Sequence, residues 1–322
     1  MSTARDTSNG TRKRLFTGLQ PSGSLHIGNY FGALKPFVDT CEDFDSHLAV
    51  VDYHALTTVR DPEVLRRNTL DVVKDYLTAG VDPEKAIVFQ QSTVPQHTEL
   101  AWIFQCLVTV PFLMQAHSYK DKVAKGLEAN AGLFSYPMLM AADILLYDTQ
   151  LVPVGSDQRQ HIEYTREVAN KFNLAFGDTF TTPEEKILDS VGTVPGVDGQ
   201  KMSKSYGNTI PLFGSEKEVE KAVMSIVTDS AGDHPEHVYA IHKLFKTDEE
   251  LAPIYEENKG RYGDLKKILL ADIEAVIAPM REKRNAISDD DVRAILIDGG
   301  NRARERAEAK MQQVRAAVGV TI

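Results

Sequence analysis

Two short segments of this chain carry side chains suited to handling a polyphosphate. The first, Pro21-Ser22-Gly23-Ser24-Leu25-His26-Ile27-Gly28-Asn29, stands where a short β-rich run gives way to a helical one. A helix start offers unpaired N–H groups and the positive end of the helix dipole. Gly28 removes a side chain where backbone would lie close against a flat base, and His26 and Asn29 can donate hydrogen bonds to phosphate oxygens. Alone, this segment is better read as an ordinary strand-to-helix turn with an incidental histidine, because short motifs recur by chance. The second segment, Lys201-Met202-Ser203-Lys204-Ser205, follows the glycine-containing stretch Pro195-Gly196-Val197-Asp198-Gly199-Gln200, which reads as a loop. Two lysines separated by two residues and flanked by serines can close over a polyphosphate and neutralise it in a transition state. Alone, such a spacing is usually solvated surface. The ordered pair, with a long stretch between, is far more specific than either part.

A third segment, Tyr136-Pro137-Met138-Leu139-Met140-Ala141-Ala142-Asp143-Ile144-Leu145-Leu146-Tyr147, reads as a core helix. Tyr136, Met140 and Asp143 are four and three residues apart and share one face. An amphipathic helix explains Met140 and the leucines. It does not explain Asp143, a carboxylate in an apolar run that must find a partner once buried.

The elements that position these segments alternate in the first half. Arg14–Gly18 is a strand that turns at Gln20-Pro21-Ser22-Gly23 into a helix through about Val38, and Leu48–Asp52 is a second strand. Asp61-Pro62-Glu63 opens a helix as N-cap, first-turn proline and acid against the dipole, with Leu65, Val72, Val73, Tyr76 and Leu77 as its buried stripe and Gly80 as its end. Ala86–Phe89 follows as a strand. This alternation predicts an α/β fold, a doubly wound parallel sheet with right-handed crossovers. After about Asn208, Glu216–Thr228, Leu265–Ile277 and Ala303–Val318 have helical spacing with no clear strand between them. The division expected is a loose leader over 1–13, an α/β catalytic domain over 14–208, and a helical C-terminal domain over 209–322, with the boundary near Tyr206–Pro211.

Composition narrows the function classes. At 322 residues the chain can build one large domain or two smaller ones, and its 42% hydrophobic and 25% charged content is that of a globular protein. No apolar run is long enough to span a bilayer, and the polar, basic N-terminal stretch with only a short apolar run after it is not expected to act as a secretory signal. Cys41 and Cys106 cannot make a disulfide framework or a metal knuckle, so a cytoplasmic location is the default expectation. A net charge of −10 argues against indiscriminate coating of nucleic acid but leaves room for a local basic surface meeting one folded RNA. His234, His237 and His242 near Asp233 suggest a metal cluster, but Pro235 interrupts them and no cysteine is near, so a polar loop is the better reading.

The pair His26-Ile27-Gly28-Asn29 and Lys201-Met202-Ser203-Lys204-Ser205 resembles the paired motifs of the class I aminoacyl-tRNA synthetases, with Asn29 replacing the family's second histidine as in its tryptophanyl branch. Phe16-Thr17-Gly18-Leu19-Gln20-Pro21-Ser22-Gly23, the helix Tyr136–Tyr147, and Val152-Pro153-Val154-Gly155-Ser156-Asp157-Gln158-Arg159-Gln160-His161 are similar to the same branch. By eye the resemblance runs from Phe16 to about Ser230 and is weak beyond. It implies a Rossmann-like catalytic domain using ATP as substrate, with Mg²⁺ carried by the phosphates, L-tryptophan and tRNA(Trp) as further partners, a homodimer, and no membrane.

For the site, the resemblance implies Lys201, Lys204, Asn29 and His26 as catalytic residues. It places Gln20, Gly28, Gly155, Asp157, Met202, Ser203 and Lys122 around ATP. It places Phe16, Gly18, Gln20, His54, Tyr136, Met140, Asp143, Val152, Val154 and Gln158 around tryptophan. Asp143 is then expected to accept the indole N–H, in which case its removal strands no protein partner. Met140, where tyrosine-specific relatives tend to carry glutamine, offers a soft apolar wall. Lys266, Lys267, Arg281, Lys283 and Arg284 are expected either to contact the anticodon side of the tRNA or to form a solvated helix face. Trp102–Val108 is expected as an interface or a core run. Some tryptophanyl relatives hold an iron–sulfur cluster through cysteines near residue 230; this chain has none there, so neither that cluster nor zinc is expected. The alternatives are a tyrosine-specific member of the class, a small-molecule adenylyltransferase, and a non-catalytic RNA-binding paralogue. Neither of the last two accounts for the full set of motifs.

Overall fold

The computed structural model of the protein describes residues 11–116, 119–120, 130–154, 159–187, 194–228 and 235–321. Five parallel strands, β1 (Arg14–Leu19), β2 (Asp45–Val50), β3 (Ala86–Gln90), β4 (Leu151–Val154) and β5 (Glu184–Ile187), form one sheet in the order β3-β2-β1-β4-β5. The pairing of β1 with β2 runs Arg14 opposite Asp45 through Leu19 opposite Val50. The chain winds outward from β1 in one direction and, after β3, crosses to β4 on the other side. This reversal makes a crevice beyond the carboxyl ends of β1 and β4, the place where ligands bind in open parallel sheets.

Local chemistry accounts for most boundaries. Asp61 accepts from the N–H groups of Glu63 and Val64 at 2.8 and 3.2 Å to start the helix Pro62–Ala79, and Gly80 ends it with φ of 115°. Two expected boundaries shift. The second strand starts earlier and stops at Val50, because Asp52 turns away to open the short helix Asp52–Ala55. Its carboxylate is bound by Gln90 Nε2 at 2.7 Å and the Ser92 N–H at 3.0 Å. The first helix is not continuous either: Ile27–Asn29 widens over Tyr30–Leu34, where Lys35 N–H reaches back to the Tyr30 carbonyl, before Lys35–Cys41 resumes.

The apolar interior lies in three clusters. Phe16, Phe89, Phe104, Met138, Ile144 and Phe172 pack on one face of the sheet, and Leu15, Phe37, Phe44, Leu48, Val72 and Tyr76 on the other. The third joins Ile27, Phe31, Met202 and Ile210 to Val219, Val223, Leu265, Leu269 and Ile273 of the C-terminal helices. Both lysine- and histidine-bearing motifs are therefore seated on the helical region rather than on the sheet.

The last helix, Asp289–Val318, departs from a division at 208/209. It returns to the sheet, contributing Val292 and Leu296 to one face and Ala303, Ala307, Met311 and Val314 to the other. Gly299 permits this, since a Cβ there would stand 1.8 Å from the Val88 carbonyl oxygen of β3. Gly299→Ala is expected to destabilise the fold by at least the ~1–3 kcal/mol typical of overpacking, read as a lower midpoint in urea unfolding with little change in slope.

Candidate active site

Backbone pairing brings the two polyphosphate motifs together. Ile27 N–H donates to the Ile210 carbonyl at 3.0 Å and Leu212 N–H to the Leu25 carbonyl at 3.0 Å, so the first motif lies antiparallel to the segment just after the second. Met202 is buried beneath them, with its Cβ 3.2 Å from where a Cβ on Gly28 would stand. Gly28 thus has a constraint besides approach to a base: it lets the two motifs touch. Lys204 spans the remaining gap, its Nζ donating to the carbonyls of Ser22 and Gly23 at 3.1 and 3.0 Å. Partial burial pulls its pKa below that of an ordinary lysine, with Asp75 opposing the shift. Lys201 is exposed beside it, and Ser203 Oγ pairs with Ser205 Oγ at 2.8 Å.

His26 and Asn29 hold one another in a reciprocal cap. His26 Nδ1 accepts from Asn29 N–H at 3.2 Å, and Asn29 Oδ1 accepts from His26 N–H at 3.1 Å. Burial first, and then the charge of Lys204, lower the His26 pKa to about 4. The imidazole is therefore neutral at pH 7, and because Nδ1 is the acceptor its proton sits on Nε2. The side-chain amide nitrogen of Asn29 has no partner among the described residues, so both groups retain a donor.

A cavity of about 430 Å³ opens at the carboxyl ends of β1 and β4, within the range of small-molecule sites. It is lined by residues expected there, Phe16, Gly18, Gln20, His54, Tyr136, Met140, Asp143 and Val152. Gly18 fits because a Cβ would crowd Val51 at 3.1 Å. Val51, Ile144 and Pro153 also line the cavity and were not foreseen; apolar residues of a strand or helix that face a cavity look like any core residue in sequence. Val154 ends β4 next to it. Tyr136 donates or accepts through its hydroxyl to His161 Nε2. Lys122, Gly155, Asp157 and Gln158 lie outside the described residues.

Asp143 corrects the expectation that a ligand is its sole partner. Its carboxylate is met by His54 Nε2 at 2.9 Å and Gln91 Nε2 at 2.7 Å. His97 Nδ1 comes within 2.6 Å of the same carboxylate. Burial alone would raise the Asp143 pKa; the charge of His97 and the bond from His54 outweigh it and hold the group at about 2. Asp143 is thus a fixed acceptor, and removing it leaves three polar side chains without their partner. The far side of His97 reaches Tyr147 Oη at 2.8 Å, and Tyr147 stacks on Phe16 with centroids 6.0 Å apart. The sequence held one clue to His97. It stands with Leu100, Ala101 and Phe104 on the buried stripe of Gln96–Gln105, a polar residue in an apolar pattern.

Most of the basic residues expected to meet RNA or solvent on the C-terminal helices have partners within the chain. Arg284 pairs with Asp75 and with Asp71 at 2.9 Å, fastening Tyr262–Ala286 to Pro62–Ala79. Arg281 forms two bonds to Glu274, Lys283 donates to the Thr78 carbonyl at 3.2 Å, and Lys266 donates to the Met224 carbonyl at 3.0 Å. Lys267 remains toward solvent with Asp264 at 3.6 Å. His242 is buried between Asp272 at 2.7 Å and Tyr255 at 3.1 Å, and His237 lies against Gly199; His234 is outside the described residues. No group of three metal-binding side chains occurs among the described residues. In Trp102–Val108, Phe104 is core, while Trp102 is 67% exposed and adjoins an exposed stretch with Val110 at 61% and Met114 at 50%.

With the geometry in hand, comparison with known proteins gives a consistent result. The family described as class I tRNA synthetases (W and Y) matches residues 8–291. The tryptophan–tRNA ligase of Fusobacterium nucleatum is 46% identical over 319 residues, covering 96% of this chain and 98% of that protein. That of Rhodopirellula baltica is 46% identical over 95% of this chain and 99% of its own. The crystal structure of Campylobacter jejuni tryptophanyl-tRNA synthetase complexed with ADP and tryptophan superposes with a TM-score of 0.90 at 43% identity, covering 95% of this chain and 99% of that one. Similarity does not fade near Ser230, as the motifs alone suggested, but extends through the helical region.

Proposed function

The chain belongs to the class I tRNA synthetases of the tryptophan and tyrosine group, and from that premise we propose that it is a tryptophan–tRNA ligase. It activates L-tryptophan with ATP, releasing pyrophosphate, and transfers the tryptophanyl group to tRNA(Trp). The observation that carries the choice of amino acid is the pairing of Met140 with the ionised, acceptor-only Asp143 in one cavity. An ionised carboxylate selects a donor such as the indole N–H, and a thioether beside it suits an apolar ring.

The chemistry needs no side-chain nucleophile. An oxygen of the tryptophan carboxylate bonds to the α-phosphorus of ATP as the bond from that phosphorus to pyrophosphate breaks. His26 Nε2–H, the Asn29 amide, Lys201 and Lys204 supply donors and positive charge to the phosphate oxygens, so catalysis is positioning and electrostatics. Gln20 borders both substrates. Lys122, Gly155 and Asp157 complete the ATP site, and Val154 and Gln158 the amino-acid site, in this reading. Mg²⁺ arrives with ATP and is held by phosphate oxygens and water. The 2′-hydroxyl oxygen of the tRNA's terminal adenosine then bonds to the acyl carbon as the bond from that carbon to the adenylate oxygen breaks, releasing AMP, and the hydroxyl proton leaves to the phosphate or solvent.

The enzyme works in the cytoplasm as a homodimer, with the Trp102, Val110 and Met114 surface covered by a second copy, and no described helix is long and apolar enough to cross a membrane. Residues 14–208, with the helix Asp289–Val318 packed back on their sheet, form the catalytic domain, and the rest of the helical region from 209 onward meets the anticodon side of the tRNA. ATP–pyrophosphate exchange run with each proteinogenic amino acid tests the reading. Exchange with tryptophan alone is expected; exchange with tyrosine instead, or with none, overturns it.

A further inference from the structure

The loop that carries Lys201 and Lys204 has a single side chain at its centre. Asn208 is 1% exposed, and its amide bonds to both arms of the loop. Its Oδ1 accepts from the Ser203 N–H at 2.8 Å, and its Nδ2 donates to Asp198 Oδ1 at 2.7 Å and to the Lys201 carbonyl at 3.2 Å. Its own carbonyl accepts from the Val197 N–H at 3.0 Å. Gly196 is packed so closely that a Cβ there would stand 2.4 Å from the Asn208 side chain. Gly207, at φ of 65°, provides the left-handed step that turns Asn208 back under the loop after Lys204–Tyr206.

Few other side chains could fill this position. The Ser203 N–H requires an acceptor, while Asp198 and the Lys201 carbonyl require donors, and a short planar amide supplies both from one place. The bonded groups flank the two lysines directly: Lys201 through its own carbonyl, Lys204 through the N–H of the residue before it. We propose that Asn208 is a positioning residue for the adenylation step, fixing where Lys201 and Lys204 present their charges without touching substrate. This rests on the ligase reading above. Transition-state stabilisation of this kind depends on donors already in place, and a misplacement of about 1 Å can cost roughly a hundredfold.

The test is tryptophan-dependent ATP–pyrophosphate exchange on the full chain, with melting curves alongside. Asn208→Ala is expected to lower kcat by about tenfold to a hundredfold, with KM for tryptophan within roughly twofold, because the indole pocket is built from other segments. Asn208→Asp should be at least as damaging, since it faces Asp198 with a like charge and loses both donors. Combining Asn208→Asp with Asp198→Asn removes the like-charge clash and restores a donor–acceptor pair across that one contact, though not the bond to the Lys201 carbonyl, and should recover part of the lost kcat. An Asn208→Ala kcat within about twofold of wild type overturns the proposal. So does a combined variant no more active than Asn208→Asp alone. Absence of tryptophan-dependent exchange in the wild type would instead sink the ligase reading.

Discussion

Lys204→Ala should reduce kcat for tryptophan-dependent pyrophosphate exchange by about 10²–10³-fold, the range found when one preorganised donor to a developing anion is removed. The geometry gives the reason. Lys204 Nζ rests on the Ser22 and Gly23 carbonyls, at the edge of the turn that leads into His26 and Asn29. Among the described residues no carboxylate is close enough to form an ion pair with it, which leaves its charge to an incoming polyphosphate. Binding of tryptophan, measured by equilibrium dialysis without ATP, should be unchanged, because Lys204 does not line the cavity that holds Met140 and Asp143. The competing view treats Lys204 as a strap on the Pro21–Ser24 turn. It predicts a lower melting temperature with a near-normal exchange rate, and that outcome would remove Lys204 from the mechanism.

Asp143→Ala should have two separable effects. Loss of a hydrogen bond to a charged acceptor is worth roughly 1.5–3 kcal/mol, which corresponds to a rise in KM for tryptophan of about ten- to a hundred-and-fifty-fold. The same change strands His54 Nε2 and Gln91 Nε2 and removes the counter-charge beside His97, so the protein should also lose about 1–3 kcal/mol of stability. Asp143→Asn keeps the volume and one acceptor oxygen, and should retain more stability than alanine while still weakening tryptophan binding. The substrate side is read with the N-methylindole analogue of tryptophan. Wild type should reject it, because a site built around a hydrogen bond discriminates against a partner that cannot donate. If wild type uses that analogue as well as tryptophan, Asp143 serves the fold alone and the pocket selects by shape.

Several parts of this site were readable from the chain because the chemistry that fixes them is local. A strand followed by a glycine-containing turn and a helix start is decided by neighbouring residues, so His26-Ile27-Gly28-Asn29 could be placed before any contact was known. The spacing of Tyr136, Met140 and Asp143 put them on one face, and the structure brings all three to one cavity. The cap at Asp61 and the end at Gly80 follow the same logic. What could not be read was which partner a polar side chain would take. Arg281 and Arg284 have the composition of an RNA-facing helix, yet Arg284 closes on Asp71 and Asp75, about two hundred residues away in sequence, at a partly buried junction of two helices where such pairs are least screened.

The sequence by itself determined the alternation that makes a parallel sheet, two motifs with side chains suited to phosphate, and a carboxylate placed among apolar residues in a helix. Periodicity and backbone chemistry operate over a few residues, and no distant contact can erase them. Tertiary structure alone decided that Asn208 ties the two arms of the lysine loop. It also decided that Asp143 is shared by His54, Gln91 and His97, and that the helix Asp289–Val318 returns to the sheet through the notch at Gly299. The polar pairings depend on burial bringing groups apart in sequence within about 3 Å, where an unpaired polar atom becomes costly, and the helix's return depends on close backbone approach. A one-dimensional pattern records the polarity of a residue but not the partner that satisfies it.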